Sequence, residues 1–132
     1  METRIHTIIP PEPHPRRGEI REFVVDFYSE IRTHPVLGPV FNNKIGDHWE
    51  SHFETLTDFW VTILFGVYAY KGNPFLAHKK TPGIEVDQFG TWLEIFEVCA
   101  NRTLKEDLSA LAIEKAGRIA DSLRQGLFFK TN

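Results

Sequence analysis

Apolar residues recur at helical spacing in four long segments of the chain. The first begins near Arg17 and places one apolar face along about three turns of helix. The segment ends at His34-Pro35 and Gly38-Pro39, because a helix does not continue through such residues. The inward positions that this pattern predicts are Ile20, Phe23, Val24, Phe27, Tyr28 and Ile31.

The second segment follows FNNKIG, residues 41–46, which is typical of a loop. Asp47 and Glu50, three positions apart, are spaced like a capping box that opens a helix. His52 lies at the edge of the inward face of this helix. The apolar positions of the face are Trp49, Phe53, Leu56, Trp60, Ile63, Leu64 and Val67.

Two further helical segments follow in the second half of the chain. The third comes after Gly83 and carries apolar residues at Val86, Phe89, Trp92, Leu93, Phe96 and Ala100. The fourth is opened by a second capping-box pair, Thr103 and Glu106. Its inward stripe consists of Leu104, Leu108, Leu111, Ala112, Ile119 and Leu123.

A short helical piece is predicted between the second and third long helices. Asn73 can cap it, Pro74 suits a first helical position, and Pro82 stops any continuation. This leaves one or two turns over residues 75–80. With no convincing strand and no internal repeat, the patterns predict an all-α fold of four long helices and one short helix.

Composition and charge describe one ordinary globular domain. The segment PPEPHP holds four prolines in six positions, so we expect residues 1–16 to be a flexible lead-in and residues 17–132 a single domain. A net charge of −3 argues against a nucleic-acid partner, and no apolar run is long enough for a membrane span. The single cysteine, Cys99, and the lack of a signal peptide indicate a cytoplasmic protein.

One histidine is placed where chemistry would use it. His78 lies in PFLAHKKTP, where a proline at each end fixes the backbone, although a surface histidine in a connector is the simpler interpretation. Tyr28, His52 and Trp92 lie on, or at the edge of, inward faces, and each carries a polar atom that needs a partner once buried. Taken one at a time, each of these polar atoms could find its hydrogen-bond partner in a nearby backbone carbonyl. Together the three side chains indicate donors that converge on one cavity.

The residues limit which cofactor such a cavity could hold. No H-E-x-x-H motif, paired Glu-x-x-His helices or cysteine cluster is present, and no G-x-S-x-G motif indicates a hydrolase. A single histidine suffices only if the other metal ligands come with the cofactor, as they do in haem. Aromatic residues make up 13% of the chain, and their faces pack well against a flat macrocycle.

Five segments, in order and spacing, resemble the third group of truncated haemoglobins. They are DFYSEI, LGPVFNN, HWESHFETLTDFW, PFLAHKKTP and TWLEIFE, within residues 17–129. The paired-glycine motifs of the other two groups are absent. The resemblance implies a truncated globin fold, which is a two-over-two helical sandwich with a short proximal helix, and haem b as the cofactor.

The resemblance also implies a role for each matching residue. His78 would be the proximal ligand of a five-coordinate iron, and Phe41 would wedge against the porphyrin. The distal side would be formed by Tyr28, Trp92 and His52, with His52 as a gate or third donor and Leu56 as an apolar neighbour. Candidate partners of the haem propionates, near His78 in sequence, are Tyr70, Lys79 and Lys80.

The implied function is binding of dioxygen and related small ligands, including NO, CO and peroxide. Donors at the ligand would slow its release, which argues against simple oxygen delivery and favours reaction with NO or peroxidase-like turnover. No flavin or nicotinamide motif is present, so we expect a separate electron donor. We expect a monomer or weak homo-oligomer. A haem-free helical interaction domain and a haem-based gas sensor remain open as alternatives.

Overall fold

The computed structural model of the protein describes residues 13–70 and 87–128. In these two ranges the chain forms five α-helices and no strand. None of the described helices is both long and apolar enough to cross a membrane. The helices are α1 (Arg17–Thr33), α2 (Leu37–Ile45), α3 (Trp49–Phe65), α4 (Gln88–Thr103) and α5 (Glu106–Phe128).

The first helix is the centre of the packing. α1 packs against α2, α3 and α4, while α4 packs against α5 and α3 also contacts α5. These contacts confirm the predicted all-α fold and agree with a two-over-two arrangement, in which α1 and α3 form one layer and α4 and α5 the other. The layers meet at aromatic rings: the Phe96 ring centroid lies 4.9 Å from that of Phe23 and 5.1 Å from that of Phe27.

The predicted helix faces agree well with burial. All six apolar positions predicted for α1 are buried. Val67 is an exception, because α3 ends at Phe65 and Val67 is 41% exposed beyond it. Periodicity also missed Ala116 and Ala120 in α5, which are buried although neither belongs to the predicted stripe.

The connection between α1 and α2 is very tight. His34 follows α1, and its Nδ1 accepts hydrogen bonds from the backbone N–H groups of Val36 (3.0 Å) and Leu37 (3.2 Å). These two donors would otherwise be unsatisfied at the start of α2. Gly38 is buried here, and a Cβ at this position would lie 2.6 Å from the carbonyl oxygen of Arg32. Glycine therefore lets α2 approach the end of α1.

The prediction that residues 41–46 form a loop is wrong, because α2 extends through Ile45. Asparagines and a glycine are typical of turns, but Pro39 lies in the first turn of α2, where a proline is tolerated. The prediction that capping boxes open the second and fourth long helices is also wrong. α3 has His48 as N-cap with no side-chain capping bond, and the Thr103 hydroxyl donates to the Cys99 carbonyl of its own helix, 2.8 Å away.

The described end of the N-terminal segment makes definite contacts. The His14 ring stacks on Phe65, with centroids 3.9 Å apart and planes 14° apart. The Arg16 guanidinium pairs with Glu19 at 3.1 Å and with Asp107 at 2.8 Å, linking the start of α1 to α5. The flexible lead-in over residues 1–16 and the domain over residues 17–132 stay predictions. The short helix predicted over residues 75–80 lies outside the described residues.

Candidate ligand-binding cavity

A predominantly apolar cavity of about 250 Å³ lies between the two helix layers. All five helices contribute to its lining, as does the segment that follows α3. The structure brings six of the predicted site residues together around this space. They are Tyr28, Phe41, His52, Leu56, Tyr70 and Trp92. The three others, His78, Lys79 and Lys80, lie outside the described residues.

The polar centre of the cavity is formed by Tyr28 and Trp92. Tyr28 is buried on α1, and Trp92 is half-buried on α4. Burial raises the pKa of the Tyr28 hydroxyl, and a hydrogen bond with the Trp92 indole N–H opposes this shift. The phenol is therefore neutral at physiological pH. Because the tyrosine oxygen accepts from Trp92, the hydroxyl hydrogen can be donated to another group.

The side chain of Tyr28 is held by its neighbours. Its ring makes edge contacts with Phe27, at 4.6 Å between centroids, and with Phe41, at 5.8 Å. Phe27 also contacts the Trp92 ring at 5.3 Å. One phenylalanine of the core thus packs against both members of the polar pair and fixes their relative position.

His52 lies on α3, half-buried in the cavity wall. Its ring centroid is 6.2 Å from that of Tyr28 and 5.7 Å from that of Trp49. The plane of the imidazole is nearly perpendicular to both of these rings. The imidazole therefore stands beside the polar pair. A half-buried position gives it access to both the cavity and its rim.

Tyr70 enters the cavity wall through a contact that periodicity could not predict. The Thr62 hydroxyl oxygen of α3 accepts the backbone N–H groups of Ala69 (3.0 Å) and Tyr70 (2.9 Å). The Tyr70 ring then packs edge-on against Phe59, with centroids 5.1 Å apart. Burial raises the pKa of Tyr70, so its hydroxyl is also neutral at physiological pH.

Comparison with known proteins gives the family. No protein-family model matches the chain. The chain is 31% identical over 105 residues to the group 3 truncated hemoglobin ctb of Campylobacter jejuni, an alignment that covers 77% of this chain and 83% of that protein. The chain belongs to the group 3 truncated haemoglobins. This confirms the resemblance found in the sequence.

A solved structure agrees with this assignment. The crystal structure of a group III truncated hemoglobin from Campylobacter jejuni superimposes with a TM-score of 0.80 and 27% sequence identity. The superposition covers 94% of this chain and all of that chain. The truncated globin fold is therefore confirmed, and haem binding follows in general from membership of the globin family.

The cavity of this truncated haemoglobin fits such a cofactor. Its walls are mainly aromatic and aliphatic side chains, which suit a flat apolar macrocycle. Among the residues that the structure describes, no group of three or more His, Cys, Asp or Glu side chains could hold a metal ion. Haem carries four of its own metal ligands, so it needs only one or two from the protein.

Sequence reasoning missed several residues of this truncated haemoglobin that line the cavity. Lys44 was overlooked because its segment was predicted as a loop. Ile119 and Leu123 were predicted as inward positions of the last helix, but periodicity does not distinguish a core contact from a cavity wall. The same holds for Trp60 and Phe89, whereas Thr55, Phe59 and Gln88 belong to no predicted inward face.

Proposed function

We propose that this truncated haemoglobin binds haem b in its cavity and there takes up dioxygen and related small ligands such as NO, CO and peroxide. In this proposal, His78 would be the residue that holds the haem iron. The observation that supports the proposal most strongly is the Tyr28 and Trp92 pair, a hydrogen-bonded polar unit on the wall of an otherwise apolar cavity.

The haem, when bound, would supply an iron centre with one open position for a small ligand. The chain supplies polar hydrogens beside it. Trp92 donates to the tyrosine oxygen, which polarises the hydroxyl and makes its hydrogen a better donor. A hydrogen bond to a charged acceptor is worth about 1.5–3 kcal/mol, which slows ligand release by roughly ten- to a hundredfold.

The other site residues take supporting roles in this proposal. Phe41 and Leu56 pack against the macrocycle, and their places in the cavity wall support this. His52 acts as a gate or third donor, because it is half-buried beside Tyr28. Tyr70 and Lys79 are assigned to the haem carboxylates.

Slow release favours a redox role over oxygen delivery. We include two reactions in the proposal, conversion of NO to nitrate by bound dioxygen and peroxidase-like turnover. Both need electrons from a separate donor, a reductase or a small reductant. An interior space of about 250 Å³ supports a cofactor-binding protein more than a haem-free helical interaction domain, whose core would be closed.

The test is a titration of the purified protein with haem, followed by visible absorption in the ferric and ferrous states. Wild type is expected to give a sharp Soret band that saturates at one haem per chain. His78→Ala should collapse the band or shift it to that of a site without histidine ligation.

The matched control is His48→Ala, since His48 is exposed at the start of α3 and does not line the cavity. This variant should give the wild-type spectrum. A wild-type chain that takes up no haem would overturn the proposed function. A His78→Ala variant that cannot be distinguished from wild type would overturn the assignment of the iron ligand.

A further inference from the structure

Trp49 lies directly behind the polar side of the cavity. It is the first residue of α3, is 5% exposed, and does not line the cavity itself. Its ring centroid is 6.1 Å from that of Tyr28 and 5.7 Å from that of His52. One buried indole therefore contacts both the main donor and the gate of the proposed function.

Two exposed residues of neighbouring elements hold this indole in place. The Trp49 indole N–H donates to Oδ1 of Asn42 on α2, at 3.1 Å. Nδ2 of Asn42 donates to the Arg32 carbonyl oxygen near the end of α1, also at 3.1 Å. The Arg32 guanidinium carbon lies 4.7 Å from the centroid of the Trp49 ring, in cation–π contact. The set of Trp49, Asn42 and Arg32, which we call the indole clamp, joins α1, α2 and α3.

The clamp restricts how the polar rings can move. Tyr28 is enclosed by Phe27 and Phe41, so its ring has little freedom. The half-buried His52 ring packs nearly perpendicular to Trp49, and this contact limits its rotation on that side. Any shift of the indole would thus move the His52 ring relative to the Tyr28 hydroxyl.

We propose that Trp49 is a positioning residue, and that the indole clamp sets the rate at which small ligands enter and leave the cavity. It does so by fixing His52 against Tyr28. This inference rests on the proposed function. It differs from a purely structural role because Asn42 is exposed and its side chain makes only two hydrogen bonds with residues that the structure describes, one from the indole and one to the Arg32 carbonyl, so its loss should disturb the rings more than the fold.

The test compares two neighbouring asparagines in the haem-loaded protein. Asn42→Ala removes the acceptor of the indole N–H, whereas Asn43→Ala changes an adjacent exposed residue of the same helix. We would measure the CO association rate after flash photolysis and the infrared stretching frequency of bound CO. Asn42→Ala should change the association rate by about fivefold, the equivalent of one ordinary hydrogen bond. It should also shift or broaden the CO band, while Asn43→Ala leaves both unchanged.

A second variant tests the same hydrogen bond from the side of its donor. Trp49→Phe keeps an aromatic ring but has no N–H, so it should change the rate in the same direction as Asn42→Ala. The double variant should change the rate by less than the product of the two single changes, because both substitutions remove the bond between Trp49 and Asn42, while Asn42→Ala alone also removes the bond to the Arg32 carbonyl. A rate change that simply multiplies across the two substitutions would overturn the clamp.

The outcomes also separate this inference from the function on which it rests. If wild type takes up no haem, both fail together. If wild type loads with haem, and Asn42→Ala matches Asn43→Ala in rate and CO band, only the clamp is overturned. Loss of stability in Asn42→Ala with an unchanged CO band would likewise assign the clamp a structural role alone.

Discussion

The phenylalanines at the crossing of α1 and α4 and the polar rings beside the cavity pack with similar geometry. Centroids within the first group, Phe23, Phe27 and Phe96, are 4.9–5.8 Å apart. In the second group, Tyr28 lies 6.1 Å from Trp49 and 6.2 Å from His52. The difference is chemical, since every ring of the second group carries a nitrogen or oxygen. We refer to these as the core rings and the wall rings.

The comparison teaches that one kind of packing can serve stability and binding in adjacent layers. Core rings stabilise the fold through buried area and close packing, so loss of side-chain volume there lowers stability. Wall rings need partners for their polar atoms, and a ligand can be one of those partners. Phe27 belongs to the core and contacts both Tyr28 and Trp92. Because Phe27 is itself held by core packing, it restricts the movement of the polar pair.

The largest expected effect comes from opening the core. Phe96 is fully buried and contacts Phe23, Phe27 and Trp60, so Phe96→Ala leaves a large cavity. The free energy of unfolding should fall by about 3–5 kcal/mol. Urea denaturation followed by circular dichroism measures this.

The control for this prediction is Val98→Ala on the same helix, where the side chain is 59% exposed. Its unfolding free energy should stay within about 0.5 kcal/mol of wild type. If both variants lost the same free energy of unfolding, the buried and exposed faces of α4 would not differ in their contribution to stability.

A smaller loss is expected where α2, which carries part of the cavity wall, meets α1. In Gly38→Ala the new Cβ would lie 2.6 Å from the Arg32 carbonyl oxygen, and one of the two helices must shift. We expect a loss of about 1–3 kcal/mol in the free energy of unfolding, measured by urea denaturation. Gly90→Ala is the matched control, because nothing lies within 4 Å of its Cβ in α4. That variant should be neutral or stabilised by up to about 1 kcal/mol.

The smallest expected effect on stability is a pH dependence that comes from Tyr28, one of the wall rings. Burial raises the pKa of Tyr28, so the folded chain keeps a proton that the unfolded chain loses above about pH 10. Stability from this residue is therefore complete below that pH and falls as pH rises, by at most about 1.4 kcal/mol per pH unit. Unfolding of wild type and Tyr28→Phe at a series of alkaline pH values measures it.

In Tyr28→Phe this part of the alkaline loss should be absent. Burial also raises the pKa of Cys99, to about 12, but that thiol is present in both proteins and its effect cancels in the difference. Parallel stability curves for the two proteins would show that the Tyr28 hydroxyl is not held in a buried, protonated state.

The helix faces of this fold could be predicted from sequence because burial imposes the helical period directly. The six buried positions of α1 follow that period without exception. α2 could not be predicted in the same way. Its sequence is rich in turn formers, and its first N–H groups are satisfied by the ring nitrogen of His34, which is not a standard capping residue.

Sequence could predict the polar residues of the cavity, but not the whole lining or the contacts that hold those residues in place. Tyr28, His52 and Trp92 stood out because each has a polar atom on an apolar face. The residues that hold them in place did not, since the Trp49 bond to Asn42 and the Thr62 bonds to Ala69 and Tyr70 join separate elements. Such contacts depend on how helices cross, which periodicity does not report.

The dissociation rate of dioxygen from the haem-loaded protein tests the central role of the wall rings most directly. Tyr28→Phe removes only the buried hydroxyl beside Trp92, and Tyr68→Phe makes the same change at a residue that is 74% exposed. Stopped-flow measurements should show release about ten- to a hundredfold faster in Tyr28→Phe, the effect of one hydrogen bond to a charged acceptor. Tyr68→Phe should match wild type. An unchanged rate in Tyr28→Phe would contradict the assignment of Tyr28 as the main donor to the ligand.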